Sequence, residues 1–175
     1  IGNHDYTAQA TRVATTFNNA MSGFSTYAIK TADNYCNYSL KLTIGTHTYL
    51  ILCLEVFPSA ASVTWAEEQL AAADLAGWEI IVTTHAYQNP GGSRINSLDT
   101  KSKSDYAFSA DASNGDELWT NLLSKYKILA ILSGHWSDAN DHSSLFTDAS
   151  DQGEVVHQVY ADFQAQNYGD SIVGV

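Results

Sequence analysis

Two apolar runs of this chain end in histidine. "WEIIVTTH" closes on His85 and "KILAILSGH" on His135. A third cluster, Gly2-Asn3-His4-Asp5, sets an amide, an imidazole and a carboxylate side by side behind a glycine. Imidazole nitrogens with an amide oxygen suit a mid-row divalent ion such as zinc, iron or manganese. A lone strand-end histidine is more often a structural hydrogen-bonder. Two such ends plus an Asn-His-Asp cluster shift the weight towards a site.

The elements that must position these residues read as layered α/β. In open α/β sheets, ligands sit beyond the carboxyl ends of the strands. Strands ending at His85 and His135 would therefore direct both imidazoles to one rim, with Asn3 and His4 joining from another loop. Residues 62–76 form the clearest helix, with Ser62 as N-cap and Gly77 as its stop. A helix over 115–125 carries a capping-box pattern, Asn114 with Glu117. Residues 7–21 place Ala10, Val13, Ala14, Phe17 and Met21 at helical spacing, which predicts a surface helix. Residues 35–44 and 47–56 alternate like a hairpin turning near Gly45-Thr46. A further strand is expected over 154–163, after a turn at Asp151-Gln152-Gly153, and another in the closing "SIVGV". Helices alternating with wholly apolar strands suggest strands covered on both faces. Residues 86–113 are too long for a plain connector, and such loops are usually functional.

The chain has 175 residues, 45% hydrophobic and 15% charged, which fits one domain with a sizeable core. No apolar run approaches the roughly 18–20 residues of a membrane helix, so no membrane span is expected. Nineteen acidic against eight basic residues give a net charge of −11. Such a surface repels phosphate backbones, so no nucleic-acid partner is expected. The expected hairpin brings Cys36 and Cys53 nearly opposite each other. That leaves two readings open, a cross-strand disulfide or two buried thiols. A disulfide and the Ser/Thr/Asn-rich texture would both suit an extracellular or periplasmic protein.

"GNHD", "TTHAY" and "SGHWSD", in this order, resemble the calcineurin-like metallophosphoesterases. The family pattern runs Asp-x-His, Gly-Asp-x-x-Asp, Gly-Asn-His-Asp/Glu, a strand-end His, then Gly-His-x-His, and the last three cover essentially the whole chain. "LEVFPSAASVTWAEEQLAAA" and "VVHQVYADFQAQ" further resemble secreted bacterial members. The resemblance implies an α/β/β/α sandwich, of which residues 1–175 are the C-terminal portion of one domain. It implies Asn3, His85 and His135 as three ligands of one metal of a two-metal centre. It makes His4 the group that stabilises or protonates the leaving oxygen and Asp5 its orienting carboxylate. A carboxylate beside an imidazole favours imidazolium and fixes its orientation. The implied activity is hydrolysis of a phosphate mono- or diester by attack of a metal-bound hydroxide, with zinc, manganese or iron in one or two sites.

Two features depart from the family pattern. The Asp-x-His and Gly-Asp-x-x-Asp motifs are expected upstream of residue 1. Ser137 stands where the second histidine of Gly-His-x-His belongs, and Asp138 or His142 would have to substitute for it. These departures motivate the alternative, a non-catalytic binding or structural protein on a degenerate phosphoesterase fold. Arg94, in the long loop, could reach a substrate phosphate, although a solvated loop arginine explains it as well. His157 reads as a satisfied core histidine. Trp65, Trp78 and Trp119 read as core, and Trp136 as a wall of the pocket.

Overall fold

Alternation around Gly45 folds the chain back on itself. In a computed structural model, strands β2 (Asn37–Ile44) and β3 (His47–Leu54) pair antiparallel with Ile44 opposite His47, and Gly45 supplies the left-handed turn residue at φ 61°. The structure describes residues 1–24, 29–32, 35–136 and 143–162. The expected strand in "SIVGV" lies outside these residues. β1 (Ile29–Ala32) adds antiparallel to β2. From β3 the sheet continues in parallel through β4 (Glu79–Thr84), β5 (Ile128–Ser133) and β7 (Val155–Ala161). β6 (Ser143–Ala149) closes the far edge antiparallel to β7, giving the order β1-β2-β3-β4-β5-β7-β6. The architecture is mixed α/β, as the alternation of helices and apolar runs implies.

One face of this sheet is covered. Leu50, Leu52 and Leu54 of β3 and Ile80 and Val82 of β4 point to it and are buried. Helix α2 (Ala60–Leu75) lays Ala66, Leu70 and Ala73 on them, and α3 (Gly115–Asn121) adds Leu118 and Trp119 to the same core. Trp65 and Trp78 pack against its margin. The N-cap of α2 is Ser59 rather than Ser62, since the Ser59 hydroxyl accepts from the Ser62 amide at 3.2 Å. Ser62 is buried in the first turn, where its hydroxyl donates to Glu55 at 2.7 Å. Gly77 ends the helix at φ 68°, and Asn114 with Glu117 forms the expected capping box on α3. No helix among the described residues is long and apolar enough to cross a membrane.

The opposite face carries Leu42, Ile44, Leu132, Leu145 and Val155, each between 40% and 66% exposed. Strand alternation puts these five aliphatic side chains on one surface. His157 of β7 shares that face and is exposed, which corrects the reading of a core histidine.

A further expectation is corrected, and the two cysteine readings are resolved. Residues 7–14 are not helical. Helix α1 spans only Thr15–Met21, and the stretch before it makes a tight loop in which Ala8 bridges Val13. Arg12 sits there at φ 52° with its guanidinium 2.7 Å from Glu55. A helix here would pull Arg12 off the buried Glu55, and leaving that charge unpaired costs more than the few tenths of a kcal/mol per residue of helix propensity. Cys36 and Cys53 are both thiols. Cys53 lies opposite Tyr38, two residues past Cys36, so the hairpin register keeps the two sulfurs out of step.

Candidate active site

His85 follows directly on β4, and His135 lies two residues beyond β5. The two strands are parallel neighbours, so both histidines emerge at the same rim. The Gly134 amide donates to the His85 carbonyl at 3.0 Å and ties the two ends together. Their rings stand 4.8 Å apart, centroid to centroid, inclined at 65°. His135 holds φ 78°, a left-handed conformation that costs a non-glycine residue about 1–3 kcal/mol and is characteristic of functional sites.

Asn3 reaches the pair from the N-terminal segment. A short 3-10 turn, Asn3–Asp5, buries the Asn3 side chain and sets its Oδ1 3.2 Å from His85 Nε2. Two donors bound at about 2.1 Å to one tetrahedral or octahedral ion would lie about 3.0–3.4 Å apart. The Asn3–His85 spacing falls within that interval. Gly2 makes this approach feasible, because a Cβ there would lie 3.1 Å from the His85 ring.

A carboxylate anchors this segment. Glu55, at the end of β3, is fully buried. It accepts from Tyr6 Oη at 2.5 Å and from Ser62, and pairs with Arg12. Arg12 also donates to the Phe57 carbonyl, and the Val56 amide donates to the Ile1 carbonyl. These bonds lay residues 1–14 across the carboxyl end of β3, beside the two histidines. Glu55 escaped sequence reasoning, yet "TYLILCLEVF" carries the signal. A charge inside an apolar run is almost never fully buried unless paired.

Burial pushes both imidazoles down to about 4. The neighbouring His85 also disfavours charge on His135. Each is therefore neutral at pH 7 and has a lone pair to offer a cation. A cavity of about 550 Å³ opens beside them, with Gly2, Asp5, His85, Ser133, His135 and Asp162 among its walls. Asp162 ends β7 at the same rim and is buried, and its charge favours protonation of His135. It too was missed, although "VYADF" is a third parallel strand end carrying a polar group.

His4 and Asp5 are exposed beside this cluster. The Asp5 carboxylate accepts from the Gly2 amide at 2.8 Å, where it closes the turn, rather than from His4. Arg94 is engaged elsewhere. It stacks on Trp119 at 4.1 Å, donates from Nε to Tyr87 and Gln158, and pairs with Asp148 at 2.6 Å. It does not line the cavity, and its role here is to hold the long loop to α3, β6 and β7. Trp136 packs in the aromatic cluster around Phe57 instead of walling the cavity. Ser137, Asp138 and His142 lie outside the described residues.

The donor set is one amide oxygen and two neutral imidazoles. Among the described residues, no three His, Cys, Asp or Glu side chains converge to hold a metal ion. An ion here would keep positions open for further ligands, which is the arrangement of catalytic rather than structural metal sites. No protein-family model matches the chain, and no curated protein matches it.

Proposed function

We propose that this chain forms the C-terminal part of the catalytic domain of a metal-dependent phosphoesterase of the calcineurin-like type, cleaving small phosphate mono- or diesters. The observation that carries the reading is the convergence of Asn3, His85 and His135, with Asn3 Oδ1 3.2 Å from His85 Nε2. A divalent zinc, manganese or iron ion bound there supplies Lewis-acid polarisation of the phosphate and of water.

The chain's own residues do the rest. Asn3, His85 and His135 would hold the ion as neutral donors. His4, exposed beside Asn3, would stabilise or protonate the leaving oxygen. Asp5 holds the turn that presents His4, through its bond to the Gly2 amide. The apolar sheet face with Leu42, Ile44, Leu132, Leu145 and Val155 supports the α/β/β/α sandwich, since a second sheet would pack there. An extracellular or periplasmic location belongs to the same reading and rests on the resemblance to secreted members.

Calorimetric titration of the purified chain with zinc or manganese tests the reading. One ion per chain is expected, lost in His85→Ala and His135→Ala and kept in His4→Ala. Hydrolysis of an aryl phosphate should fall about 10²–10⁴-fold in His4→Ala, the scale of general acid catalysis. A chain that takes up neither ion refutes the proposal and favours the non-catalytic alternative.

A further inference from the structure

Helix α2 leaves a cleft of about 390 Å³ between itself and strands β1 to β3, which shares no residue with the cavity beside His85 and His135. Leu50 of β3, Ala72 of α2 and Trp78 form its apolar walls. Lys30 of β1 and Lys41 of β2 line it too, and both are exposed. Lys30 stands opposite Ser39, so Lys41 is its diagonal neighbour on the same face, about 7–8 Å away. Among the described residues neither lysine joins an ion pair, whereas Arg12, Arg94, Lys103, Lys125 and Lys127 each have a carboxylate partner. The Lys41 ammonium lies instead 4.3 Å from the centroid of the Trp78 ring. A buried polar group completes the cleft. Gln69 of α2 is only 9% exposed, and its Oε1 accepts from the Ser39 hydroxyl at 3.3 Å. Gln69 lines the cleft, while its amide nitrogen makes no hydrogen bond among the described residues. A buried donor without a partner is costly, and an acceptor in the cleft would relieve it.

We propose that this cleft binds a small aromatic carboxylate, with its charge between Lys30 and Lys41, its ring against Trp78 and Leu50, and a polar substituent accepting from Gln69. The two lysines call for an anion to relieve their mutual repulsion. The net charge of −11 disfavours a multiply charged one such as a phosphate ester, so a single carboxylate is the better match. Trp78 offers a flat partner for a ring. The volume lies at the small end of the roughly 300–1,000 Å³ of ligand pockets, which suits one or two fused rings.

Calorimetric titration of the chain with 6-hydroxy-2-naphthoate, with the Trp78 indole followed by NMR, tests this. One saturable site is expected, with a Kd of about 1 mM or tighter and a shift of the Trp78 indole N–H signal. Lys30→Met/Lys41→Met keeps the exposed stems and removes both charges, and it should raise the Kd about tenfold. The neutral 6-hydroxy-2-naphthamide should bind the unaltered chain more weakly by a similar factor. Absence of saturable binding overturns the proposal, as does a Kd that neither the double variant nor the neutral amide changes. Octanoate binding as tightly as the naphthoate overturns it as well, since Trp78 would then confer no preference for a ring.

Discussion

Acid should destabilise this protein well above the pH at which its carboxylates titrate, because the folded site holds two imidazoles neutral. His85 and His135 have folded pKa values of about 4 against an ordinary 6.5. Between those values the unfolded chain binds two protons that the native chain refuses. Stability is therefore full above pH 6.5 and falls as pH drops towards 4. From pH 7.5 to 5.0 the loss comes to about 2 kcal/mol for each imidazole, or about 4 kcal/mol for the pair. The structure's perturbed carboxylates, Asp111, Glu117 and Asp148, are lowered and act in a more acidic window. Urea unfolding of the metal-free chain at pH 7.5 and 5.0 measures the difference. The same experiment on His85→Asn/His135→Asn isolates the two residues and should lose most of the pH dependence. Equal stability at the two pH values would refute the reasoning, as would a double variant with an unaltered slope.

Other perturbations test the supports of the site. Glu55→Gln leaves Arg12 buried without its countercharge and should cost about 3–5 kcal/mol in chemical denaturation. Gly2→Ala places a methyl 3.1 Å from the His85 ring and should weaken zinc binding measurably in titration, with little change in sheet content by circular dichroism. Arg94→Ala removes the stack on Trp119 and the pair with Asp148, so its effect should appear in the melting temperature and not in zinc affinity. Ser59→Ala should cost about 1 kcal/mol as a lost N-cap, measured by thermal unfolding, whereas the cap expectation at Ser62 assigned that loss to the wrong hydroxyl.

Legibility tracked how strongly each segment's local pattern agreed with its tertiary setting. The hairpin at Gly45 and the strands before His85 and His135 were readable, since alternation and apolar runs are both local signals. β6 was not, because Ser143–Ala149 is an exposed edge with little apolar contrast to read. The segment 7–14 misled because its apolar spacing is helical, while Arg12 is held by Glu55, 43 positions away in sequence. Cys36 and Cys53 failed to meet by two residues of register, which no composition argument could supply. Within the site, the histidines and Asn3 announced themselves by type and spacing. Glu55 and Asp162 did not, because their roles come from contacts made across the fold.

The N-terminal segment carries Asn3, His4 and Asp5, yet it joins no strand of the sheet. It is moored by the Tyr6 and Arg12 side chains on Glu55 and by the Val56 amide on the Ile1 carbonyl. Opening this segment would take the Asn3 oxygen away while His85 and His135 stay in place. An ion bridging Asn3 to the two histidines would then act as a latch, slowing amide exchange across residues 1–14 far more than in β3 or β4.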